Sequence, residues 1–173
     1  MGKIDYVMPT LTDEEDIYDN EQPLSFELNL LSLETSQNQT SEGWINYELR
    51  LTGVKGTLIH RNGTIHDGDV RSLEKIFSNL EADSCDFEPL EPDFILALKY
   101  LENKEAWGLT CMVNYGAAKH KFYGTTAIGF RLKITKLNAQ KFASQLKDAR
   151  IAITKDEDFT GFVTKSTKYN GLV

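Results

Sequence analysis

Three carboxylates crowd one proline-rich stretch, Phe87-Glu88-Pro89-Leu90-Glu91-Pro92-Asp93-Phe94. Paired carboxylates are the raw material of general acid–base chemistry. The spacing here does not assemble a working pair. In an extended chain Glu91 and Asp93 share one face of the pleat, and Glu88 falls on the other. Neither a nucleophile nor a histidine lies nearby, so the stretch reads as an exposed acidic edge, or as carboxylates capping backbone donors. His60 and His66 flank Asn62-Gly63, a hairpin-type turn signal that would bring the two rings together. Without a third ligand they read as surface histidines rather than a zinc site. Lys119, Lys121 and Tyr123 beside Phe122 set cations next to stacking groups, as single-strand binders do. The same residues fit a hairpin edge protected by lysines, and that reading is preferred.

Trp44, Tyr47, Trp107 and Phe94 read as core, with Trp107 also a candidate for a partner surface, where aromatics concentrate binding energy. Cys85 and Cys111 lack CxxC spacing, and Cys111 reads as a small core hydrophobe. A phosphate-cradling glycine loop, a GxSxG elbow and an HExxH pair are missing from the sequence. The expectation is a protein with no catalytic residues, no metal and no cofactor.

These residues need elements to position them. Pro89 and Pro92 remove two backbone donors and disfavour helix at Glu88 and Glu91, so the stretch is a stiff lead-in to a strand that aligns the two halves of the chain. Before it, Phe26, Leu28 and Leu30 alternate with polar residues, as do Ile45, Tyr47, Leu49 and Leu51, giving two half-buried strands separated by a polar loop over 34–42. A third strand runs from Val54 to Ile59. A helix follows, with Asp69 as its cap and Val70, Leu73, Ile76 or Phe77, and Leu80 at helical spacing. After the prolines come strands at Phe94–Lys99, Trp107–Val113 and Phe122–Ile134, the last with Phe130, Leu132 and Ile134 inward and Arg131 and Lys133 outward. A second helix starts near Thr135 or Asn138 and buries Ala139, Phe142, Ala143 and Leu146. Ile151–Ile153 and Phe159–Val163 carry weak strand signals.

The order is β-β-β-α-β-β-β-α: an α+β fold, an antiparallel sheet or sandwich with two helices on one face. A chain of 173 residues can bury one full core. The divisions are an acidic, flexible arm over 1–22, a single α+β domain over 23–149 and an extension over 150–173. Net charge is −7, distributed as −6 over 1–23, −8 over 24–118 and +7 over 119–173. Overall acidity argues against duplex phosphate as a partner. With no apolar run of about 20 residues and no basic segment followed by an apolar one, a cytoplasmic protein is expected.

From Phe26 to Leu146 the chain resembles the WapI-type immunity proteins, small partners of bacterial polymorphic contact toxins. The residues that carry the likeness are Phe26-x-Leu28, Trp44-Ile45, Asp69-Val70-x-x-Leu73-x-x-Ile76, Phe87-x-Pro89-Leu90-Glu91-Pro92, Phe94-x-Leu96-x-Leu98, Gly129-Phe130-x-Leu132 and Phe142-Ala143-x-x-Leu146. The acidic arm and the tail after Ala149 depart from that pattern. The resemblance implies a non-catalytic inhibitor that binds a cognate toxin domain, plausibly a basic nuclease, with no direct nucleic-acid contact. Glu81, Asp83, Asp86, Glu88, Glu91 and Asp93 would form its electrostatic rim and Trp107 an anchor. The alternative is a small-molecule or carbohydrate-binding module around Trp107.

Overall fold

The computed structural model describes residues 9–12, 24–36, 39–53, 56–81, 83–101, 105–114 and 127–155. The elements in chain order are β1 (Thr10–Thr12), β2 (Ser25–Ser36), β3 (Gln39–Gly53), β4 (Gly56–His66), α1 (Asp67–Ser78), β5 (Ser84–Phe87), β6 (Phe94–Leu101), β7 (Ala106–Asn114), β8 (Ala127–Ile134) and α2 (Lys136–Thr154). Strands β1 to β4 form one antiparallel sheet in sequence order, and β5 to β8 form a second. Each sheet is followed by one helix, so the chain is a ββββα unit written twice.

Alternating side chains explain both sheets. Phe26, Leu28, Leu30, Ile45, Tyr47, Leu49 and Leu51 are buried on the inner face of the first sheet. Phe94, Leu96, Leu98, Leu109, Cys111, Val113 and Leu132 are buried on that of the second. The helices close this core. Phe142 of α2 meets Phe77 of α1 at a ring-centroid distance of 5.0 Å and Phe26 of β2 at 5.8 Å, both edge-on. Each such ring or leucine contributes about 1.5–3 kcal/mol by leaving water. Arg150 is buried in the same layer and binds Glu74 at 2.6 Å and Asp67 at 3.7 Å, tying α2 to α1.

The antiparallel α+β architecture expected from the sequence is present, with two strands more than its pattern revealed. Strand β1 pairs Thr10 with Glu27 and buries Leu11 fully; it falls within the segment read as an arm, most of which lies outside the described residues. Strand β5 pairs Ser84–Phe87 with Lys99–Leu96. Three and four residues respectively are too short to show a period. The polar loop shrinks, since β2 reaches Ser36 and β3 begins at Gln39. Asn62-Gly63 is not a hairpin turn. It sits inside β4, where Tyr47 faces Gly63 and Leu49 faces His60, so β4 carries one residue more than β3 across this step. That is a β-bulge, and it uses the left-handed Asn62 (φ 63°) that an Asn-Gly turn would also use.

Helix α1 begins two residues before the expected cap. His66 Nδ1 accepts from Gly68 N at 3.1 Å, while Asp69 Oδ2 accepts from Leu90 N. Thr135 caps α2 as read, accepting from Asn138 N at 3.2 Å. The weak strand signal at Ile151–Ile153 is overridden, because Ala149 and Arg150 carry α2 on to Thr154 against α1. The described residues contain no helix long and apolar enough to cross a membrane. Phe159–Val163 and the Lys119–Tyr123 cluster lie outside the described residues.

Candidate functional site

The outer face of the second sheet gathers three cations, Lys99, Arg131 and Lys133. Cross-strand register places Lys99 of β6 opposite Gly108 of β7 and Gly108 opposite Lys133 of β8. The next row is Ala97, Thr110 and Arg131, and the next Ile95, Met112 and Gly129. Small residues at Ala97 and Gly108 leave the centre of this face low, forming a depression of about 520 Å³ edged by Lys99, Arg131 and Lys133. Arg131 Nε donates to the neutral hydroxyl of Thr110, at 3.4 Å. Ile95 and Met112, directly paired, add an exposed apolar shelf at 39% and 37% exposure.

Among the described residues the strands place one carboxylate on this face, Asp86 of β5, in the row of Ala97, Thr110 and Arg131. Asp86 is a diagonal neighbour of Lys99, about 7–8 Å away, and lies three strand spacings, about 14 Å, from Arg131. With three cations against this one edge carboxylate among the described residues, the β7–β8 side of the trough is locally cationic and chemically suits a line of phosphates.

The outer face of the first sheet contrasts with it. Arg50 and Arg61 both bind Glu48, at 3.0 and 2.8 Å, and Arg50 also approaches Glu27 at 3.8 Å. Burial pushes the Glu48 carboxyl up, but the hydrogen bonds from Arg61 and Arg50 outweigh it and hold the group below the usual carboxylate range.

Glu81, Asp83 and Glu88 are exposed, and Asp86 stands alone on the trough face. Glu91 accepts from Thr64 at 2.7 Å. Asp93 Oδ2 accepts from Tyr47 Oη at 3.3 Å and lies 3.2 Å from His60 Nε2. These contacts clasp the proline-rich segment to β3 and β4. Burial first, and then Asp93, push the Tyr47 hydroxyl far above the ordinary phenol range, so it is neither a base nor a nucleophile. His60 and His66 diverge, one to Asp93 and the other to the helix cap. Trp107 is 9% exposed and turns inward, stacked at 5.1 Å against Tyr100. Among the described residues no group of three or more His, Cys, Asp or Glu side chains is placed to hold a metal.

Arg131 and Lys133 were legible as outward-facing from the alternation of their strand. Lys99 was legible in the same way. What the sequence did not show was the register that sets the three around Gly108.

No family model and no curated protein matches the chain. Solved structures do. One is the plant transcriptional regulator PBF-2, 13% identical over 90% of this chain and 85% of that one, with a TM-score of 0.49. Others are WHY3 from Arabidopsis thaliana (13%, 88% and 91%, 0.47) and WHY1 from the same plant (10%, 88% and 88%, 0.48). The immunity reading, with its toxin partner and its exclusion of direct nucleic-acid contact, is corrected at this point. These structures are of a transcriptional regulator and of WHY proteins rather than of toxin inhibitors. In the molecule itself Glu91 and Asp93 are engaged with Thr64 and His60, and Trp107 is 9% exposed.

Proposed function

We propose that this chain binds a nucleic-acid strand, without catalysis, across the outer face of the second sheet. The observation that carries the reading is the trough, where Lys99, Arg131 and Lys133 surround a glycine floor and no carboxylate lines it among the described residues. Phosphates run along the cations. Unpaired bases lie against the shelf of Ile95 and Met112, an arrangement open to a single strand and closed to a duplex, whose bases are stacked inside.

Fluorescence anisotropy with a labelled oligothymidylate and with a matched duplex tests this. Lys99→Glu/Lys133→Glu should weaken single-strand binding by about tenfold or more at low salt. Gly108→Glu is a second, independent variant, because a Cβ at Gly108 meets nothing closer than 3.7 Å and the fold tolerates it. Equal binding by wild type and both variants would overturn the assignment.

A further inference from the structure

We infer that the outer face of the first sheet is a second, latent face for the same phosphodiester ligand, with Glu48 acting as a resident anion that holds it off. This rests on the proposed function of the second sheet. The topology supplies the first ground. Both sheets are four-stranded, antiparallel and in sequence order, and each is followed in the chain by one helix. Their outer faces are equivalent positions in a repeated unit.

The side chains supply the second ground. On the second sheet the cations have no carboxylate between them. On the first, Arg50 Nη2 and Arg61 Nε converge on the two oxygens of a single carboxylate, at 3.0 and 2.8 Å. Two guanidinium groups gripping one oxyanion is the geometry a phosphate would take. Arg50 Nε, buried, makes no hydrogen bond and stands 3.8 Å from Glu27. The arginine pair is thus neutralised by its own chain, Arg50 by Glu27 at the β2 side as well as by Glu48. Around it lie Asn46, Thr52 and Thr57, short polar groups of a kind that contact phosphate and sugar.

The test is the number of oligothymidylate strands bound per chain, by isothermal titration calorimetry at low salt. Wild type is expected to bind one. Glu48→Gln is nearly isosteric and should raise the count to two, and Glu48→Ala should do the same. Glu48→Gln/Lys99→Glu/Lys133→Glu should retain one strand, and adding Arg61→Gln should remove it. Thermal melts of each variant confirm that it is folded.

A count that stays at one in both Glu48 variants overturns the inference while leaving the second-sheet reading intact. No binding by wild type, with one strand bound by Glu48→Gln, overturns the second-sheet reading and supports the inference. No binding by either protein overturns both.

Discussion

Asp93 and His60 lie 3.2 Å apart across the boundary between the two sheets, one on the lead-in to β6 and the other on β4. The same carboxylate oxygen accepts from Tyr47 at 3.3 Å. One side chain thus links the segment between β5 and β6 to β3 and β4. With Leu90 N bound to Asp69 and Glu91 bound to Thr64, the proline-rich segment is fastened at three points. Its stiffness, set by Pro89 and Pro92, turns those contacts into a rigid joint.

Asp93→Ala should therefore destabilise the fold by about 1–3 kcal/mol, because it strands the Tyr47 hydroxyl and the His60 ring in partly buried positions. Tyr47→Phe removes the other partner. Urea denaturation of both single variants and the double variant should show a coupling of about 0.5 kcal/mol or more. Strict additivity would mean that the contact contributes nothing.

Gly63→Ala should cost about 1–3 kcal/mol by overpacking. A Cβ there would lie 2.6 Å from the Tyr47 ring, which is locked between Phe94 and the sheet. Tyr47→Leu in the same background should restore part of the loss, by removing the atoms that clash. Chemical denaturation of the three proteins decides it.

Gly63 also shows how far the sequence could be read. Strict alternation identified the inner faces of β2, β3, β6, β7 and β8, because a side chain's direction in a strand depends only on parity. The Asn-Gly pair read as a hairpin turn and proved to be a bulge, because bulge and turn demand the same left-handed backbone there. Strands β1 and β5 carry too few residues for any period. The trough was hidden for a different reason: Lys99, Gly108 and Lys133 are adjacent only through cross-strand register, which no local pattern encodes. Trp107, read as a possible anchor, falls on the inner face of its strand and is 9% exposed, lining a cavity with Ser72 and Ile76 of α1.

Arg150→Ala should destabilise the protein by about 3 kcal/mol, since it leaves Glu74 without its ion-pair partner and Asp67 with Arg71 alone. Arg150 is 1% exposed and so is Asp67. The triple change Arg150→Met/Glu74→Met/Asp67→Asn should recover most of the loss, because apolar groups replace the buried charges and the one cation left without a carboxylate, Arg71, is partly exposed. Thermal unfolding of the two variants beside wild type tests the difference. A triple variant no better than Arg150→Ala would contradict it.

Alkaline pH should weaken the fold in two stages. Burial pushes the Cys111 thiol from 9.0 up to about 12, and Tyr47 moves upward from 10.0. Both groups bind their proton more tightly when folded, so their contribution is complete below the unfolded values and is lost as pH rises past them. Stability measured by urea melts should begin to fall near pH 9. Cys111→Ala should remove the part of the decline that starts there, and Tyr47→Phe the part that starts near pH 10. A decline of the same shape in both variants would show that neither group is its source.

Salt should report the number of phosphates the trough holds. Each phosphate neutralised on a single strand contributes about −0.7 to the slope of log K against log salt. Lys99, Arg131 and Lys133 together then give about −2, a shallow dependence for a nucleic-acid binder. Lys133→Gln should reduce the slope by ~0.7, and should do so equally for oligothymidylate and oligoadenylate, because a phosphate contact carries no sequence information. Met112→Ala should leave the slope unchanged and lower affinity, because it removes apolar shelf rather than charge. A steeper slope, or one that Lys133→Gln does not alter, would place the phosphates on another face of the molecule.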